Sequence, residues 1–135
     1  FAIQNSFLII KNKITPPIKK EIYASLLASF YQWRRSWIES DFERYNQFYS
    51  ENFKKEDGTT IEHFRNHKKR LFDRMEEKAI VIKDINIIPY PNEKQEELYL
   101  IFYHQDYKTK KHSFKGYKEM IVKKIDESFE ILYEG

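Results

Sequence analysis

A chain of 135 residues holds one domain with one core and needs no covalent staple to fold. Its 17% aromatic and 33% charged content excludes a disordered protein, and the absence of cysteine excludes disulfides, thiol nucleophiles and cysteine-ligated metals. The 24 basic and 21 acidic side chains leave a net charge of +3 and are interleaved along most of the chain, which is not the basic stripe of a nucleic-acid binder.

Residues 1–14 alternate loosely between apolar and polar and read as an extended lead-in or linker, with the domain itself expected over 15–135. The apolar run Phe7-Leu8-Ile9-Ile10 is too short for a membrane span or a signal-peptide core. Any export signal is therefore expected outside this chain, and an opening on Phe1 reads as a fragment or a processed product. Thr15-Pro16-Pro17 suits a linker or a helix start. From Ile18, apolar residues at Ile22, Leu26, Phe30, Trp33 and Trp37 recur at spacings of four and three, predicting a long first helix to about Ile38. Ser40-Asp41-Phe42-Glu43 has the capping-box pattern, and a short second helix is expected to carry Tyr45, Phe48 and Tyr49. Asp57-Gly58 marks a turn, and Thr59 with Glu62 repeats the capping pattern ahead of a third helix ending near Glu77.

The period then changes to two. Ile80 and Ile82 share one parity and Ile85 and Ile87 the other, which predicts a bulge near Lys83-Asp84 that bends a long strand. Pro89-Tyr90-Pro91-Asn92 closes it, and strands follow at about 97–108, 112–124 and 128–134, with a tight turn at Asp126-Glu127. Three helices followed by four antiparallel strands predict an α+β domain, with the long helix in the concave face of a curved four-stranded sheet and an open cone mouth.

Several short motifs carry a resemblance over residues 14–135. They are Phe102-Tyr103-His104-Gln105-Asp106-Tyr107, Gly116-Tyr117-Lys118, Phe129-Glu130-Ile131 with Glu134, and upstream Trp33, Trp37, Asp41 and Tyr45. Together they resemble the nuclear transport factor 2-like (NTF2-like) domain appended to periplasmic L,D-transpeptidase-type carboxypeptidases that trim peptidoglycan in helical bacteria. In that family the chemistry resides in a separate domain with a cysteine nucleophile, which this chain lacks. The resemblance thus implies a periplasmic, non-catalytic module that needs no cofactor, accessory to a catalytic domain and binding a cell-wall glycopeptide or another small ligand.

On the third-from-last sequence motif the residues themselves add detail. Alternation puts Tyr99, Ile101, Tyr103, Gln105 and Tyr107 on one strand face and Leu98, Leu100, Phe102, His104 and Asp106 on the other. Gln105 and Tyr107 fall at the far end, where they project into the cone mouth or else satisfy backbone groups at the sheet edge. Lys118 either joins them, or snorkels to solvent or pairs with Glu134. The candidate ligand-binding set is Trp33, Trp37, Tyr45, Tyr103, Gln105, Tyr107 and Lys118, with Trp33 and Trp37 also fitting a core stripe. The alternatives are a small stand-alone isomerase or dehydratase using a His/Asp pair, His104 and Asp106, or a Tyr/Asp pair in the same cone, and a homodimer formed through the outer sheet face at Leu100 and Phe102. His63 and His67 stand at i, i+4, but Phe64 replaces the glutamate of a zinc motif and Lys68-Lys69-Arg70 repel a cation, so no metal is expected. The runs 66–70 and 108–112 are the dense basic patches.

Overall fold

The computed structural model describes residues 18–135, so the expected lead-in and the Thr15-Pro16-Pro17 start lie outside the described residues. Helix α1 spans Lys20–Ile38, α2 Phe42–Gln47 and α3 Ile61–Asp73. The strands are β1 Tyr49–Lys55, β2 Ala79–Pro89, β3 Leu98–Lys108, β4 Ser113–Ile125 and β5 Ser128–Glu134. They form one sheet in the order β1-β5-β4-β3-β2.

The apolar stripe of α1 is buried as its spacing requires, with Leu26 and Phe30 fully enclosed and Trp33 nearly so. It lies on the sheet face that carries Ile101 and Tyr103 of β3, Met120 and Val122 of β4, and Phe129 and Ile131 of β5. The Arg34 guanidinium donates to the Ile80 carbonyl of β2 at 3.1 Å, tying the helix to the far edge of the sheet. Strand β2 bends where the parity switch requires it: the register shifts between Lys83 and Asn86, and Asp84 takes φ 56°. This curvature makes the concave face.

Four expectations need correction. The sheet has five strands and is mixed, because β1 adds in parallel to β5, with Tyr49 opposite Ile131 and Lys55 opposite Glu134. Tyr45, Phe48 and Tyr49 do not share one helix: α2 ends at Gln47, and Tyr49 opens β1. The aromatic pair Tyr49 and Phe53 is spaced by four, which is one face of a helix and equally one face of a strand. Neither capping box forms. Asp41 is the cap of α2, its Oδ1 accepting from the Arg44 backbone N–H at 3.2 Å, while Ser40 has φ 56° and accepts from Lys78 Nζ at 2.7 Å. Thr60 begins α3 without a side-chain cap, and Thr59 is held by Asp57 instead. The third helix ends at Asp73, not near Glu77.

On the convex face Leu100 is fully buried beneath Ile88, Tyr90, Phe102, Ile121 and Tyr133. The expectation that it would lie exposed fails, because a second small cluster of the same chain covers it. Glu119, on this side beside Phe102, is buried and one carboxylate oxygen has no hydrogen-bond partner. Burial, followed by the charge of Glu56, pushes its carboxyl up to about 7.

Two predictions follow from this packing. Replacing Trp33 by alanine is expected to cost about 3–5 kcal/mol in a urea unfolding titration, the range for truncating a buried aromatic. An unchanged midpoint contradicts its place in the core. Because the folded Glu119 holds its proton above the unfolded value of 4.5, its contribution is intact below pH 4.5 and is lost as pH rises through about 7. Glu119→Gln should therefore flatten the fall in unfolding midpoint across that window.

Candidate functional site

The wide end of the cone encloses a cavity of about 490 Å³, within the range typical of small-molecule sites. Every layer of the fold contributes. The last turns of α1 supply Trp33 and Trp37, α2 supplies Tyr45, and α3 supplies Phe64, His67, Lys68, Leu71 and Phe72, with Arg74 at its C-cap. Glu76 and Lys78 come from the connection to β2, Gln105 and Tyr107 from the end of β3, and Thr109 and His112 from the β3–β4 turn. Phe114 and Lys118 of β4, with Lys55 and Glu134 at the ends of β1 and β5, complete the wall.

The aromatic wall is ordered by ring packing and by one hydrogen-bonded chain. Trp37 stacks on Tyr107 with centroids 5.3 Å apart. Behind it the Trp33 indole N–H donates to the Tyr49 hydroxyl at 3.0 Å, and that hydroxyl donates to Tyr45 at 2.9 Å. Burial raises the Tyr45 and Tyr49 phenols well above their ordinary pKa, and the Glu134 carboxylate adds to the effect. Burial and then Glu76 also raise Tyr107. These phenols stay protonated at neutral pH and act as donors or apolar surface, not as bases.

Two polar groups of the wall have no partner. Gln105 is 5% exposed, and its carboxamide makes no hydrogen bond among the described residues. The Glu134 Oε2 atom is buried and equally unpartnered. Lys68 stands near them, partly buried, its ammonium 5.3 Å from the Trp37 ring centre and 5.6 Å from that of Phe64. Desolvation there lowers its pKa to about 8 in spite of the opposing pull of Glu134. Lys118 lies over the Phe114 ring at 5.4 Å and forms no ion pair with Glu134. Buried polar groups without internal partners are costly, and Glu134 Oε2 is such a group beside the cations of the wall.

Of the residues proposed from sequence, the cavity brings together Trp33, Trp37, Tyr45, Gln105, Tyr107 and Lys118. Tyr103 is not among the lining residues. It is 1% exposed and wedged edge-on against Phe30 at 4.9 Å, because it sits two residues deeper on β3, under the middle of α1. His104 and Asp106 lie on the opposite face of β3, with His104 edge-on to Tyr117. They cannot act as an acid/base pair within this cavity. Lys68, Arg74, Lys78 and Glu134 were missed as wall residues. The signal for the helix contribution was the face His67, Leu71 and Arg74 at i, i+4 and i+7, with Phe64 and Lys68 beside it. Among the described residues no group of three or more His, Cys, Asp or Glu is placed to hold a metal ion.

The pattern of the Cds6 C-terminal NTF2-like domain family matches residues 25–135. Among solved structures the chain is similar to the helical cell shape determining protein Pgp2 from Campylobacter jejuni, at 42% identity and a TM-score of 0.77 over 87% of this chain. A lysine-to-alanine variant of that protein gives 41% identity and a TM-score of 0.83 over the same share. Bd1075 from Bdellovibrio bacteriovorus follows at 27% identity and a TM-score of 0.69 over 81% of this chain. The match spans 42%, 41% and 38% of those three chains, less than half of each. An NTF2-like protein from Pseudomonas putida KT2440 shares the fold alone, at 5% identity and a TM-score of 0.69. No curated protein sequence matches the chain. The described residues include no helix long and apolar enough to cross a membrane. With the family pattern covering residues 25–135 and the cone present in the structure, the chain belongs to the Cds6 C-terminal NTF2-like domain family.

Proposed function

We propose that this domain is a non-catalytic binding module that seats a cell-wall glycopeptide in its cavity on behalf of a catalytic unit, in the periplasm. The observation that carries the reading is the cavity itself, in which Glu134 Oε2 is buried without a hydrogen-bond partner and the largely buried Gln105 faces the same space beside two cations, Lys68 and Lys118. A peptide stem presents amides, ammonium groups and carboxylates, which complement the carboxamide, the carboxylate and the two ammonium groups of those four side chains. Trp37 and Tyr107 offer flat apolar surface against which a sugar ring or an aliphatic stem packs. The likeness to a helical cell shape determining protein supports the cell wall as the source of the ligand. The chain spans less than half of that relative, which leaves room for a separate catalytic unit.

Positioning alone is of value to a catalytic partner, since correct placement of a reacting group removes several kcal/mol from a barrier. Among the described residues the cavity wall holds no serine, and the chain has no cysteine, so neither ordinary peptidase nucleophile is among the described wall residues. Incubating the chain with muropeptides bearing tri- and tetrapeptide stems should give saturable binding and no product. Steady product formation would falsify the module reading.

Gln105→Leu should leave the unfolding midpoint nearly unchanged and weaken muropeptide capture by about 1–3 kcal/mol in calorimetry, the cost of losing a buried polar contact. Unaltered affinity removes Gln105 from the site.

The Lys68 ammonium gives the site a pH dependence. An anion favours its charged form, so affinity should be full below pH 8 and fall as the pH rises through about 8, where Lys68 loses its proton. Lys68→Met should bind more weakly at pH 7 and show no such fall. A decline that persists in this variant assigns the effect to another group.

A further inference from the structure

The two basic runs of the sequence meet at the mouth of the cavity. His67 and Lys68 of α3 line it on one side, and Thr109 and His112 of the β3–β4 turn on another. The turn is fixed by its own hydrogen bonds. The Thr109 N–H donates to the His112 carbonyl at 2.8 Å, and Thr109 Oγ1 accepts from the N–H groups of Lys111 at 3.3 Å and His112 at 3.1 Å. Thr109 is buried, so the turn is anchored while Lys110 and Lys111 stand exposed at its tip.

On the α3 side the cations are equally close together. His67 and Arg70 are one helical turn apart on α3, with Arg74 one turn further along, so Arg70 shares the side on which His67 and Arg74 line the cavity, and the charges of Lys68, Arg70, Lys55 and Arg74 add to burial in lowering the His67 pKa. Five Lys or Arg but only two Glu line the cavity, although the whole chain carries a net charge of only +3. None of Lys55, Arg70, Arg74, Lys110 and Lys111 forms an ion pair among the described residues. Like charges gathered without counter-ions repel one another and raise a positive potential over the opening. Arg70, Lys110 and Lys111 are not wall residues, so a ligand confined to the cavity leaves them unneutralised.

We propose that these side chains form a basic collar, a second subsite outside the cavity that binds the carboxylate-bearing polymer from which the cavity's ligand projects. This rests on the cell-wall reading above: in polymeric peptidoglycan neighbouring stem peptides repeat their free carboxylates along the strand. One stem enters the cavity while its neighbours face the collar. Attraction of this kind speeds encounter and weakens with salt, because the collar is exposed and its field falls off within a Debye length of about 30 Å at 0.01 M and about 3 Å at 1 M salt. The cavity contacts, being enclosed, are screened far less.

The test measures two ligands on the 135-residue chain: a soluble muropeptide by calorimetry and insoluble peptidoglycan sacculi by co-sedimentation, each between about 0.01 M and about 1 M salt. The variants are Lys110→Glu with Lys111→Glu on the turn, and Arg70→Glu on α3 as a check that does not touch the turn, each verified as folded by circular dichroism. The expected result is about a tenfold loss of sacculus retention at low salt in both variants, a wild-type retention that falls towards theirs at high salt, and an unchanged muropeptide affinity. Equal retention of wild type and variants at low salt overturns the collar, as does an equal loss for muropeptide and polymer. Preferential retention by vesicles of anionic phospholipid over sacculi overturns it in favour of a membrane surface. If the muropeptide fails to bind the wild type while charge-dependent sacculus retention persists, the collar stands and the cavity reading falls.

Discussion

The chain of donors from Trp33 to Tyr49 to Tyr45 holds this fold together where its parts would otherwise come apart. An indole N–H and two phenols are all buried, and each such group left unpaired in a low-dielectric interior is expensive. The three residues belong to α1, β1 and α2, so satisfying them fixes the helical layer to the sheet at the one place where the local sequence does not dictate the geometry. The neighbouring rings extend the constraint. Tyr45 packs on Phe72 of α3 at 4.7 Å and Tyr49 on Phe64 at 4.8 Å. The cavity wall on that side is the outward surface of this buried assembly. Arg65 reinforces it from α3, donating to Asn46 Oδ1 at 2.6 Å, to the Tyr49 carbonyl at 3.2 Å and to Glu51.

What could be read from the sequence follows from how local each signal is. The α1 stripe, the bulge at Lys83-Asp84 and the β3 and β4 alternation depend on periodicity within one element, and all three are present in the structure. Strand β1 was not legible. Its pairing is parallel, with a strand far along the chain, and no hairpin turn announces it. Its aromatics at positions 49 and 53 suit either period. The capping patterns misled for separate reasons: Ser40 adopts positive φ and leaves the cap of α2 to Asp41, while Thr59 is held by Asp57 and Thr60 begins α3. A hydroxyl at Ser40 that receives the Lys78 ammonium is unavailable to cap a helix.

The site shows the same division. Gln105, Tyr107 and Lys118 were visible because strand parity assigns each to one face, and the face that buries Ile101 is the one that opens into the mouth. Tyr103 has the same parity and still misses the cavity, since parity fixes the face and not the depth. Lys68 was read as one member of a repelling basic run. Only the fold shows that it turns inward over Trp37 and Phe64 while Lys69 turns outward to Asp73 at 2.7 Å. Glu134 belonged to a family-like motif, yet its role depends on β5 lying between β4 and β1, which sequence proximity does not disclose.

That placement of β5 has a consequence for how the chain is made. The strand is central in the sheet but emerges from the ribosome after all the others, whereas β1 emerges before α3. Until β5 arrives, β1 has an open edge with the aromatic rings of Tyr49 and Phe53 on it, and β4 has one edge equally unpaired. Exposed edges of this kind template association between chains. Without β5 the sheet has nothing to join β1 and the helical layer to the antiparallel strands β2 to β4. Completing one short strand closes both edges at once.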